Sequence, residues 1–322
     1  VVTDMTAANA HATLPSAAAP LFGPGLVHVP CTPFTASGAV DHDAHARLID
    51  FHLAHGAQAL ALPMHAGESV SLTTPERHLL LERAIAHVAG RVPVIAHVSQ
   101  PGSAMAASMA AHAQSAGAAA VVAHVPYYWT PPQSMLVEHF AQIAAAVTLP
   151  VLVANAPAEM NGVKVSADSA MALAQRAPNV AGLVDASLDW QFMIELLTLA
   201  RRARPDFALF SGDEYLVSSF AIGARSAFAP LAIVAPRTVA RLFAACARED
   251  YAQARADQEA LAALVQAVRP WGVPGLKAAA RIMGRDLGEV RAPLTPVPAA
   301  DRKRMAAAIR AIVPLRGEPQ GW

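Results

Sequence analysis

Short apolar runs recur along the chain, each followed by a segment whose apolar positions return every three or four residues. The runs are "GLVHVPCT" (25–32), "AQALALPM" (57–64), "RVPVIAHV" (91–98), "GAAAVVAHV" (117–125), "LPVLVANA" (149–156), "NVAGLVDA" (179–186), "DFALFSG" (206–212) and "GARSAFAP" (223–230). Each reads as a strand buried on both faces, the pattern of a parallel sheet covered by helices. The intervening segments, such as "DHDAHARLIDFHLAHG" (41–56), "TPERHLLLERAIAHVAG" (74–90) and "QSMLVEHFAQIAAAV" (133–147), have helical spacing. Gly56, Gly90 and Gly117 stand where left-handed helix caps are expected.

Eight such units within about 220 residues fit a (β/α)8 TIM barrel, an α/β fold. No Gly-x-Gly-x-x-Gly follows the first strand, so a dinucleotide-binding sheet has no support. After about residue 240 the strand pattern stops. The remainder predicts a C-terminal helical extension over 241–315 and a loose tail at 316–322. The Ala-rich start, 1–22, reads as a mobile leader without the basic and apolar regions of a signal peptide. The barrel is assigned to 23–240.

Composition narrows the function classes. The formal net charge is zero, with 24 basic and 24 acidic residues, so nothing draws the chain toward nucleic acid or an anionic membrane. No apolar run has the length and flanks of a membrane span. Two cysteines are too few for a disulfide framework, which points to a cytoplasmic setting. With no net charge, solubility rests on a well-covered surface or on oligomerisation. Only Lys164, Lys277 and Lys303 are lysines, so chemistry that needs a lysine amine has three candidates.

A barrel of this kind places its active site at the carboxyl ends of the strands. That selects Thr32, His65, Ala66, Glu68, His97, Ser99, His124, Tyr127, Tyr128, Asn155, Glu159, Val184, Asp185, Ser211 and Asp213.

At these positions the chain resembles the dihydrodipicolinate synthase / N-acetylneuraminate lyase family. The motifs are "CTPF" (31–34), "GES" (67–69), "PYYW" (126–129), "NAP" (155–157), "SGDE" (211–214) and "VPGLKAA" (273–279). Each is weak alone; their order and spacing together are specific. The resemblance implies a lysine on strand six that forms a Schiff base with a 2-oxo acid, the imine serving as electron sink. It also implies a proton-relaying tyrosine on strand five, two hydroxyls that hold a carboxylate, and an arginine for a second carboxylate. This chain departs at each point. The lysine position is Val184, the tyrosine position Ala154, the hydroxyl pair His65 and Ala66, and the arginine position falls near Glu159. Valine has no amine.

The expectation is therefore a lyase, aldolase or hydratase that acts on a small carboxylated or carbonyl metabolite without a Schiff base, and not a working dihydrodipicolinate synthase. His65, Tyr128 and Asp185 are the catalytic candidates. Ala66, Asn155, Glu159, Val184 and Ser211 are candidates to line the pocket. Strand alternation turns Asp185 toward the helices if Val184 faces inward, which favours a structural acid there. Tyr128 is expected, by resemblance, to reach a neighbouring subunit in a dimer or tetramer.

No cofactor is expected. One alternative is a divalent metal held by His65, His97 and His124, which end strands two, three and four. The chain has 13 histidines, so some clustering arises by chance. The other alternative is a barrel that binds a small molecule without turning it over.

Overall fold

The computed structural model describes residues 21–322. Eight parallel strands close a barrel in chain order: β1 (Leu26–His28), β2 (Ala59–Leu62), β3 (Val94–His97), β4 (Ala120–His124), β5 (Val151–Asn155), β6 (Val180–Asp185), β7 (Ala208–Ser211) and β8 (Ser226–Ala229), with β8 paired back to β1. All eight fall inside the predicted apolar runs. The helices between them are α1 (His42–Ala54), α2 (Thr74–Val88), α3 (Ser103–Ala116), α4 (Gln133–Ala145), α5 (Ala167–Arg176), α6 (Trp190–Ala203) and α7 (Leu216–Ala221).

Local chemistry starts the helices. Asp41 accepts the amide of Ala44 at the head of α1, and Thr73 with Glu76 forms a reciprocal capping box on α2. Gly117 closes α3 in the left-handed conformation. On α2 the cap itself is Ala89, with Gly90 one residue beyond.

The interior is filled near β6 and β7 by the Phe210 ring, packed edge-on against Phe228 at 6.2 Å. Gly182 makes room for it, since a Cβ there would lie 2.6 Å from the ring and 2.4 Å from the carbonyl oxygen of Ala208.

Four more helices follow: α8 (Pro236–Ala247), α9 (Tyr251–Val268), α10 (Gly272–Ile282) and α11 (Ala299–Ala311). The boundary expected at residue 240 falls within α8. Between α8 and α9 the chain turns at Glu249, whose φ is +60°.

The expectation of a loose tail is corrected. The buried Glu318 carboxylate accepts the amides of Arg237 and Thr238 at 2.9 and 2.7 Å, so the tail caps α8. Buried Arg285 donates to the carbonyls of Pro319 and Gly321. At the other end, the Leu21 amide donates to the Asp206 carbonyl and Phe22 packs against the core, and residues 1–20 of the expected leader lie outside the described residues. Among the described residues, no helix is long and apolar enough to cross a membrane.

Candidate active site

A cavity of about 490 Å³ opens at the carboxyl ends of the strands. Its wall includes His65 and Ala66 after β2, His124 on β4, Ala154 and Asn155 on β5, Val184 on β6, and Asp213 and Glu214 after β7. The end of α9, with Val265 and Val268, and the start of α10, with Val273 and Leu276, cover it from the C-terminal side. The volume suits a small metabolite.

No lysine lines this cavity among the described residues. Lys277 is buried and stands 2.6 Å from the Glu68 carboxylate, with its ammonium 4.2 Å from the centre of the Phe34 ring. Arg291 covers the same ring at 4.4 Å, and its amide donates to Glu68. This cluster ties the "CTPF" and "GES" segments to α10. Lys164 pairs at 2.6 Å with Asp189, the residue that caps α6. Lys303 is exposed on α11.

Several candidates do not reach a ligand as expected. Asp185, next to the inward-facing Val184, lies outside the cavity wall and is buried toward the helix layer. One carboxylate oxygen accepts both the hydroxyl and the amide of Ser187, while the other has no partner among the described residues. Burial pushes its carboxyl up to about 6, against the pull of the Ser187 bonds. Ser211 also lies off the wall; its hydroxyl donates to the Asp213 carbonyl inside its own turn. Asn155 touches the cavity, yet its amide is used on both sides by Val165, at 3.0 and 2.9 Å. Tyr128 is 79% exposed at φ +77°, against Trp129 and away from this chain's cavity. Glu159 and Ala66 do line the cavity, and His65 stands at its rim, solvent-exposed.

The three histidines do not make one ligand set. His97 and His124 meet, Nε2 to Nδ1, at 3.1 Å. His65 lines the same cavity but makes no hydrogen bond to either ring, and no three His, Cys, Asp or Glu side chains among the described residues come together as a metal site. His97 is turned behind the wall. Its backbone carbonyl and that of Ser99 are both held by the buried guanidinium of Arg77 on α2, at 2.7 and 3.1 Å. Burial, then mutual repulsion, then Arg77 drive His97 well below the ordinary imidazole range. Burial and the nearby His65 bring His124 down to about 4. Both rings are neutral at pH 7.

Sequence reasoning missed Glu214. It is buried in the wall and accepts the Leu231 amide at 2.5 Å. Burial and the neighbouring Asp213 push its carboxyl up to about 8. Asp213 is itself raised to about 6 by burial, with the Arg269 guanidinium 3.9 Å away acting in the opposite direction. The available signal was two consecutive acids at the carboxyl end of β7. A carboxyl raised in this way holds its proton far closer to neutrality than an ordinary glutamate, and in its protonated form it is a group able to donate a hydrogen bond to a carbonyl oxygen in the cavity.

Residues 24–312 match the profile described as the dihydrodipicolinate synthetase family. A 4-hydroxy-tetrahydrodipicolinate synthase of Azoarcus sp. (strain BH72) is 35% identical over 281 residues, spanning 87% of this chain and 94% of that protein. One from Exiguobacterium sibiricum is 37% identical over 269 residues, spanning 82% and 89%. Among solved structures, the dihydrodipicolinate synthase of Aquifex aeolicus superposes with a TM-score of 0.84 at 30% identity, covering 90% of this chain and 97% of that one. YagE, a prophage protein of E. coli K12 of the same family solved in complex with pyruvate, gives 0.85 at 28% identity, covering 91% and 99%.

Proposed function

The chain belongs to the dihydrodipicolinate synthetase family, a lyase family, and from that premise we propose that it handles a small carbonyl or hydroxy acid without forming an imine. The observation that carries this reading is the β6 wall of the cavity. Val184 stands there, and none of the three lysines lines the same space. On β5, Ala154 puts a methyl group where the family resemblance places a proton-relaying hydroxyl.

An enzyme that forms no imine needs another way to hold charge that develops on a carbonyl oxygen. The protonated Glu214 carboxyl supplies a donor from the β7 side. His65, at the rim beside Ala66, supplies an imidazole for proton transfer or for binding a carboxylate. This division supports cleavage or dehydration of a hydroxylated substrate better than condensation through an enamine. The reading assigns all proton work to side chains and takes no cofactor. It places the protein in the cytoplasm and Tyr128 at a contact between copies of the chain.

The test is turnover. Pyruvate with aspartate semialdehyde is expected to give no condensation product. A panel of 2-hydroxy and 2-oxo acids and their aldols, followed by NMR, is expected to show cleavage or dehydration that His65→Ala abolishes. Condensation product would overturn the reading. A ligand that raises Tm with no turnover across the panel would make the protein a binding barrel, the alternative that the two methyl-bearing positions, Val184 and Ala154, favour.

A further inference from the structure

His124 is the wall histidine with a second imidazole behind it, and its ring orientation follows from counting hydrogens. Ser99 Oγ accepts the His124 backbone amide at 2.7 Å and stands 2.6 Å from His97 Nε2. Among the described residues, that nitrogen is the one acceptor within reach of the Ser99 hydroxyl hydrogen. If His97 Nε2 is the acceptor, His97 carries its proton on Nδ1, which is buried without a protein partner. That arrangement leaves one polar group unpaired. The opposite tautomer leaves two, the Nδ1 lone pair and the serine hydrogen, and each unpaired buried group is costly.

The consequence passes to the cavity. The single lone pair of His97 Nε2 is then shared in a three-centre bond, accepting the Ser99 hydroxyl at 2.6 Å as the main donor and His124 Nδ1–H at 3.1 Å as the weaker one, so the hydrogen in the second contact belongs to His124 Nδ1. A lone pair on both nitrogens would face itself across that distance. A neutral His124 with hydrogen on Nδ1 has a bare lone pair on Nε2. His124 lines the cavity, and its Nε2 has no protein partner and is not among the atoms shut away from solvent.

We propose that His124 is a specificity-determining residue whose Nε2 accepts a hydrogen bond from a ligand hydroxyl, with Ser99 and His97 as the positioning residues that fix its tautomer. The ligand class is an alcohol-bearing small molecule, such as a hydroxy acid, oriented with its hydroxyl toward β4. A carboxylate oxygen at the same place would meet a lone pair and be disfavoured. The burial that keeps both rings neutral supports the assignment. Arg77 contributes by holding the His97 and Ser99 carbonyls, which keeps the end of β3 in register with β4.

This inference rests on the reading that the cavity works without an imine, and its test is independent of turnover. Long-range nitrogen NMR of histidine-labelled protein distinguishes a pyrrole-type from a pyridine-type ring nitrogen. His124 is expected to show a pyridine-type Nε2 in the full chain at pH 7. In Ser99→Ala the His97 constraint is lost, and the His124 signals are expected to move toward tautomer averaging. Glycerate is expected to shift the Nε2 resonance upfield, and pyruvate, which has no hydroxyl, to leave it in place.

A pyrrole-type Nε2 in the wild-type protein overturns the proposal, whether or not Ser99→Ala folds. So does an equal response to pyruvate, or no response to glycerate. Covalent capture of pyruvate would instead refute the imine-free reading and leave the tautomer result standing.

Discussion

The Glu68 carboxylate lies 2.6 Å from the Lys277 ammonium, and neither group reaches solvent to any extent, at 0% and 4% side-chain exposure. A lysine held this way is committed to structure. Its charge is matched by a carboxylate and by the Phe34 ring face, and its Nζ also donates to the Glu289 carbonyl. Breaking one side of such a pair leaves a buried charge unmatched. Lys277→Ala is therefore expected to cost about 3–5 kcal/mol of stability. Denaturant titration of the variant checks this; a loss below about 1 kcal/mol, the range of exposed pairs, would contradict it.

The tail carries a second stability prediction. Glu318 caps α8 through two backbone amides and the Thr238 hydroxyl at 2.6 Å. Glu318→Ala is expected to cost about 0.5–2 kcal/mol, the range for losing a helix N-cap. A wild-type melting temperature for a chain lacking residues 316–322 would show that the tail contributes nothing.

Gly182 tests how tightly the interior is filled. A methyl group there meets both the Phe210 ring and the Ala208 carbonyl at well under contact distance. Gly182→Ala is expected to destabilise by about 1–3 kcal/mol or more, the cost of overpacking. Thermal melts read the effect directly, and an unchanged Tm would mean that the ring moves aside freely.

Acid sensitivity follows from the histidines. Burial holds His28 and His45 down to about 3, His124 and His139 to about 4, and His52 and His97 well below their usual range. Unfolded, each titrates near about 6.5, so the unfolded chain binds more protons below that pH. Their contribution is full above about 6.5 and is lost as pH falls toward the folded values. Three carboxyls run the other way. Asp185 and Asp213 are raised to about 6 and Glu214 to about 8, so their contribution is full in acid and lost as pH rises through those values. Six histidines outweigh three carboxyls, so Tm is expected to fall between pH 6 and 5. His45→Phe is expected to make the fall shallower. A Tm that rises on acidification over that range would contradict the balance.

Much of the fold was legible because parallel strands buried on both faces leave an unbroken apolar signature, and because motif order resists drift. The site was less legible. Val184 and Asp185 were assigned correctly to opposite faces, since alternation along a strand is geometric. Asn155 and Ser211 stand at the right height, but their polar atoms are consumed by Val165 and Asp213, contacts that no sequence pattern announces. The pairing of His97 with His124, without His65, depends on ring directions at three strand ends, which sequence leaves open. Glu318 and the helix it caps are 80 residues apart, so the tail looked unstructured.

The central claim is that the cavity of this family member contains no amine able to form an imine. Borohydride reduction in the presence of pyruvate, read by intact mass, tests it on the wild-type protein beside Val184→Lys. The account predicts no adduct on the wild type and one pyruvate-derived adduct on Val184→Lys, mapped to position 184. An adduct on the wild-type chain, at Lys164, Lys277 or Lys303, would contradict it.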